Sequence, residues 1–327
     1  MTSIVIPAHN EERVIGRLLD ALSAGSGLDI VVVCNGCTDG TARAAAARPG
    51  VRVVEIPTPS KHLALRTGDA HAVGFPRLYV DADVVIGSAD VRVLAGAVGD
   101  GPGEVLAAAP GRDLPLAGCA WPVRAYYRIW QRLPAVRDGL FGRGVIALSE
   151  EGHARIASLP PLMADDLAAS LAFAPHERRV VDGARVTVLP PRTWADLIRR
   201  RVRAGTSTAQ LEQHQAQSAA APAGRATAAA ESGRAPAPGG DPAPEAPGSG
   251  RPAPSPGAGG SHQPPQPPPS ARTSPADLRL LLRREPWLLP HLVVFLGVAL
   301  VARRKSERAV RQGDFGTWLR DESSRRD

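Results

Sequence analysis

The sequence predicts an α/β domain with a mostly parallel sheet covered by helices on both faces, a three-layer arrangement. Short β-branched runs alternate with segments whose apolar residues recur at helical spacing. The runs are continuously apolar, as strands are when both faces are buried. Polar residues gather just after three of them, where ligands bind in open α/β sheets.

Taken in order, Ser3 to Pro7 is the first buried strand. Asn10 stands where a helix cap belongs, Glu11 and Glu12 suit the first turn, and Val14, Ile15, Leu18, Leu19 and Leu22 mark the helix. Asp29 to Asn35 is the second strand, and Thr38 or Asp39 caps a helix from Gly40 to about Arg48. Val51 to Ile56 is the third strand, and Ser60 to Val73 is helix-compatible. Arg77 to Asp81 is the fourth strand and Glu104 to Ala109 a fifth. Further on come a helix from Trp121 to Leu133, a strand and turn from Gly142 to Ser149, and a helix opened by Asp165-Asp166. A late strand or hairpin spans Val180 to Leu189, followed by the basic cluster Arg199, Arg200, Arg201 and Arg203.

These elements place one domain over residues 1–213. Residues 214–275 turn to Ala, Pro, Gly and Ser and bury too little apolar surface to offset ordering entropy, so they read as a disordered linker. Residues 276–327 form a C-terminal helical segment with Ser274 at its cap and Pro275 at its first position. Within it, Trp287 to Ala302 is almost wholly apolar and is followed by Arg303-Arg304-Lys305. The run is shorter than the roughly 20 residues of a spanning helix. It either lies in a membrane interface with its cations on anionic headgroups or packs back on the catalytic domain.

The net charge of +7 favours anionic partners, while a 4% aromatic share is thin for stacking on nucleic-acid bases. Three cysteines do not make a disulfide framework, and Cys34-Asn35-Gly36-Cys37 lacks the second pair a zinc site needs. No basic segment precedes an apolar stretch at the N-terminus, so no signal peptide is expected and the location is cytoplasmic.

Three polar strand ends suggest one crevice: Ala8-His9-Asn10-Glu11, Asn35 to Asp39, and Asp81-Ala82-Asp83. No glycine-rich dinucleotide fingerprint follows the first strand and no Walker-type loop occurs, so phosphates must be neutralised otherwise. Asp81 and Asp83 supply hard oxygen ligands for Mn²⁺ or Mg²⁺, with diphosphate and water completing the shell. The blander reading of the triplet is a solvated turn.

The three motifs together resemble family 2 glycosyltransferases of the GT-A fold, bacterial members included. The resemblance covers about the first two hundred residues. It implies that Pro7, Ala8, His9 and Glu11 line a nucleoside pocket. Asn35 stands where the family usually has an Asp on the base, and Asp39 matches the acid of that motif, whose plainer role is a helix cap. Lys61 matches a basic residue near the nucleotide, Ala82 lies between the metal-binding Asp81 and Asp83, and Arg66 replaces a frequent Asn. Asp165-Asp166 resembles the family's Glu-Asp pair, so Asp166 first and Asp165 second are the expected catalytic base; an acidic helix start is the plainer reading. Arg200, Arg201 and Arg203 fall near a late basic motif on the diphosphate, or form a solvated face. The Gln-x-x-Arg-Trp of processive synthases is absent, so a single-transfer enzyme is implied.

The resemblance therefore implies an inverting, metal-dependent transfer from a nucleotide-diphosphate sugar to a lipid-linked or saccharide hydroxyl, at the inner face of the cell membrane and in cell-envelope polysaccharide chemistry. A non-catalytic nucleotide-sugar-binding scaffold and a sugar nucleotidyltransferase are the alternatives, the latter lacking its glycine-rich loop after the first strand. The segment Trp318 to Arg325 also looks like a C-terminal signature of some members.

Overall fold

The computed structural model describes residues 1–23, 25, 27–159, 165–220 and 273–312, and at 165, 166, 214, 215 and 217–220 the backbone alone. The linker from 221 to 272 and the Trp318 to Arg325 signature lie outside the described residues.

An eight-stranded mixed sheet forms the centre. Its strands are β1 (Thr2–Ala8), β2 (Leu28–Asn35), β3 (Val51–Ile56), β4 (Arg77–Val80), β5 (Val84–Val85), β6 (Ala107–Asp113), β7 (Val145–Leu148) and β8 (Arg178–Val188). The order is β3-β2-β1-β4-β7-β6-β8-β5. From β3 to β4 all pairings are parallel, with Ala8 opposite Cys34 at the carboxyl end of the β1–β2 pair. β7 runs antiparallel to both β4 and β6, so β6, the fifth expected strand, keeps the sense of β4 and pairs parallel with β8.

Helices α1 (Ile15–Ser23), α2 (Thr41–Ala46) and α3 (Lys61–His71) accompany the parallel half, and α4 (Ser88–Ala95) packs against β8 and β6. β1 and β2 are buried almost throughout, whereas edge strand β3 alternates towards solvent, which is why only the central strands read as unbroken apolar runs. α3 starts at Ser60, whose hydroxyl accepts from the Leu63 N–H. Its Gly68 lies against Val5 of β1 where a Cβ would collide, so the helix sits down on the strand.

One expected cap is replaced. Asn10 has φ +52° and the helix begins only at Ile15, after a turn in which Ile15 N–H donates to the Glu11 carbonyl at 2.9 Å. Among the elements with no clear signal are β5, α4 and, after β7, α7 (Glu150–Ala157). β5 is two residues long, below the length at which periodicity registers.

A second apolar core is helical. It joins α5 (Trp121–Trp130), the short α6 (Pro134–Asp138), α9 (Trp194–Ala220) and α11 (Leu289–Arg311) through Tyr126, Ile129, Leu197, Val202, Leu292, Phe295 and Val298. α8 (Asp165–Leu171) precedes β8, and α10 (Pro275–Arg284) leads through a 3₁₀ turn at Pro286–Leu288 into α11. α9 runs on to Ala220, past the domain boundary expected at 213. From Leu289 to Ala302 the apolar run is one helix, because Pro290 falls in the first turn of α11, where a missing N–H costs nothing. By length and composition Pro286–Arg311 suffices to cross a membrane, yet one face of α11 is packed into the helical core.

Candidate active site

β2, β1 and β4 are neighbours in the sheet, so the three polar strand ends open on one edge. The Asn35 amide donates to the Ala8 carbonyl at 2.8 Å and ties the ends of β1 and β2 together. His9 Nδ1 lies 2.5 Å from the Asn35 carbonyl. A carbonyl only accepts, so Nδ1 carries the proton, and the ring orientation is fixed. Pro7, Ala8 and Glu11 are buried, and the Glu11 N–H donates to Thr41 Oγ1 at 2.7 Å.

Gly36 turns the chain after β2 at φ +57°, with Pro59 so close that a Cβ would sit 2.8 Å from its nitrogen. Asp39 then takes up the start of α2. Its Oδ1 accepts from the Thr41 N–H at 3.0 Å and the Thr41 hydroxyl at 2.5 Å, and its Oδ2 from the Glu12 N–H at 3.2 Å. Partial burial alone would raise the Asp39 pKa; the Thr41 and Glu12 bonds outweigh it and hold the carboxyl below its ordinary value. Cys34 is buried and its thiol is pushed up to about 12 by burial and by Cys37, so it is no ready thiolate.

The Asp81-Ala82-Asp83 turn leaves β4 with the Asp81 N–H on the Gly144 carbonyl at 2.8 Å. Ala82 points inward and is buried, while Asp81 and Asp83 are half-buried at the open edge. Lys61, at the start of α3, places Nζ 2.7 Å from Asp81 Oδ1. Lys61 and Asp81 thus meet at the end of β4. Arg66, by contrast, is exposed.

Gly144 had no role in the sequence reading. It holds φ +65°, and a Cβ there would lie 2.6 Å from Val84 and 3.2 Å from Asp81 Oδ2. Its neighbour Arg143 is buried and donates to the carbonyls of Gly139, Pro110, Val136 and Arg137 at 2.8–3.2 Å. Burial pushes the Arg143 pKa down to about 10. The signal available was Gly142-Arg143-Gly144 itself, a cation between two glycines before a strand.

Asp165 and Asp166 open α8, as expected for an acidic helix start, and the description stops at their backbone. In the arginine cluster, Arg199 pairs with Asp196, Arg200 donates to the Leu189 carbonyl at 3.2 Å, and Arg201 lies 5.9 Å from the Tyr126 ring centre. Arg203 follows on the same helix, half-buried.

Residues 3–139 match the profile described as Glycosyl transferase family 2. Over this segment, less than half of its length, the chain is similar to that family. The segment ends before Asp165-Asp166 and the arginines, and it contains the three strand-end motifs. No curated protein matches the chain. Among solved structures, the chain is similar to one described as a mycobacterial protein, at 25% identity and TM-score 0.40, over 58% of this chain and 65% of that one. It also aligns with glucosyl-3-phosphoglycerate synthase from Mycobacterium tuberculosis, at 22% identity and TM-score 0.41, over 58% and 70%. A third is S. aureus TarS 1-349, at 15% identity and TM-score 0.41, over 57% and 60%. The chain thus spans just under two thirds of the first of these structures.

At the end of β4, the carboxylate oxygens of Asp81 and Asp83 suit a divalent cation. Two half-buried carboxylates face the open edge, and hard oxygens suit Mg²⁺ or Mn²⁺. Among the described residues no cluster of three or more His, Cys, Asp or Glu forms. An ion here would therefore take the rest of its shell from diphosphate and water, which is how such ions commonly meet nucleotides.

Proposed function

We propose that this chain is an inverting, metal-dependent glycosyltransferase that moves a sugar from a nucleotide-diphosphate sugar to a hydroxyl of a lipid-linked or saccharide acceptor, at the inner face of the cell membrane. The observation that carries the reading is the Lys61–Asp81 pair, with Asp83 alongside, on the same sheet edge as His9 and Asn35, within the segment matched to family 2.

Asp81 and Asp83 would hold Mn²⁺ or Mg²⁺, which when bound neutralises charge on the leaving diphosphate. Lys61 adds a cation at the same place, and Ala82 keeps the turn anchored in the core. Pro7, Ala8, His9, Glu11, Asn35 and Asp39 form the nucleoside end. One Asn35 amide hydrogen is engaged with Ala8, so Oδ1 and the second N–H are the groups left to meet a base. Asp166, with Asp165 beside it in sequence, would take the acceptor hydroxyl's proton as that oxygen attacks the anomeric carbon. Attack from the side opposite the diphosphate inverts the centre. Arg200, Arg201 and Arg203 would assist the diphosphate from α9.

The test is a thermal-shift screen of nucleoside diphosphates with and without Mn²⁺, followed by transfer assays with the preferred sugar nucleotide. Asp83→Ala should abolish the Mn²⁺-dependent part of the shift. Asp166→Ala should keep the shift and lower transfer about a hundredfold or more. Unchanged transfer in both variants would refute the reading.

A further inference from the structure

α11 is apolar on two sides. Its inner side, with Leu292, Phe295, Val298 and Ala302, is buried in the helical core. Its outer side presents Leu289, Val293, Leu296 and Leu300, at spacings of four, three and four residues, with Val293 67% and Leu300 51% exposed. Such a stripe on a helix already packed on its other side has no role in this core.

Charge and aromatic residues frame the stripe. Past Val301 the helix turns cationic with Arg303, Arg304, Lys305 and Arg308. Arg303 pairs with Glu307 at 2.8 Å, while no ion pair among the described residues involves Arg304, Lys305 or Arg308. Trp121 and Trp287 are exposed at the other end, both against His291. Between α11 and the start of α9 lies a half-open groove of about 400 Å³. Ile198, Val202 and Val301 give it apolar walls, Trp194 an aromatic one, and Lys305 a cation, while its other cation, Arg199, is engaged with Asp196.

We propose that this face seats the chain on an anionic lipid leaflet, with a lipid phosphate at Lys305 in the groove and the stripe of α11 in the acyl region. Charge selects the occupant: an apolar strip ending in cations, three of them without an ion pair among the described residues, with exposed tryptophans at its far end, matches the layered polarity of a leaflet. The stripe is about 17 Å long at 1.5 Å per residue, against a hydrocarbon core of about 30 Å. Protein covers its inner side, so the helix lies in the interface and does not span. The proposal names the surface behind the membrane location in the proposed function and rests on that part of it alone.

Flotation of the full chain with vesicles tests it. The protein should float with phosphatidylcholine vesicles containing phosphatidylglycerol, and less so as salt rises. The double variant Val293→Glu/Leu300→Glu should lose flotation while keeping the parental melting temperature. Lys305→Ala should weaken binding about fivefold. Val73→Glu, at an exposed apolar site elsewhere, should float like the parent. Absence of flotation, or flotation unchanged in the double variant, overturns the proposal. So does a dimer that the double variant dissolves without any vesicle binding, or a Lys305-dependent shift with inorganic phosphate alone. Nucleoside diphosphate shifts in the same variants report on the transferase reading separately.

Discussion

Asn35 is 3% exposed, and its amide hydrogen reaches the Ala8 carbonyl. An aspartate in its place would set a carboxylate against that carbonyl, two acceptors with no proton between them at neutral pH. Asn35→Asp should therefore lower stability by about 1–3 kcal/mol, measured by urea unfolding. A variant as stable as the parent would show that the amide does not tie the strand ends. That Asn stands where an acid is usual was legible in the sequence. Its reason was not, because Ala8 becomes its neighbour only through the parallel register of β1 and β2. Asp39 shows the converse. Its capping role could be read from Thr38-Asp39-Gly40-Thr41 alone, since that contact is local, and only the bond to Glu12 needed the fold.

At the scale of elements, the turn after β4 depends on the strand beside it. Gly144 precedes β7, and its left-handed backbone brings it against both Val84 and Asp81. Gly144→Ala would add strain of about 1–2 kcal/mol from backbone conformation alone. The new methyl would also press on Val84 and displace the Asp81 carboxylate. The expected outcome is a lower melting temperature and a larger fractional loss of Mn²⁺-dependent nucleotide binding than a surface Gly50→Ala change produces, Gly50 having the same sign of φ and open space around it. Equal losses in the two variants would mean that Gly144 acts through strain alone. The parallel half of the sheet was legible because its strands are apolar on both faces. Beyond β4, strands at Glu104 to Ala109, Gly142 to Ser149 and Val180 to Leu189 were legible; their mixed sense was not, and β5 is a two-residue strand. The apolar run of α11 was legible as a helix; its packing against α5 was not, because periodicity gives a face and not its partner.

For the whole molecule, two sets of contacts should set stability, and they respond to different perturbations. Below the sheet's amino edge, Asp69 of α3 accepts from Tyr79 at 2.7 Å and Arg77 at 3.1 Å, and His153 Nε2 of α7 lies 3.2 Å away, outside hydrogen-bond alignment. Burial would raise the Asp69 pKa, but His153, Tyr79 and Arg77 outweigh it and the net direction is down. A lowered folded-state pKa contributes stability above the unfolded value, about 3.9, and loses it as the pH falls through the folded value. Acid should thus weaken the wild type over that range, and Asp69→Asn should be less stable at neutral pH with a flatter acid profile. The apolar contacts of the helical core answer to volume. Phe295 stacks on Tyr126 with ring centres 5.1 Å apart and 19° between planes. Phe295→Ala should cost about 3–5 kcal/mol in urea unfolding. Val293→Glu, half a turn away on the outer side of the same helix, should change stability by less than about 0.5 kcal/mol. If both variants are neutral, α11 is not part of the folding unit. If both are costly, its outer stripe is buried in solution, and the surface offered to lipid is already covered.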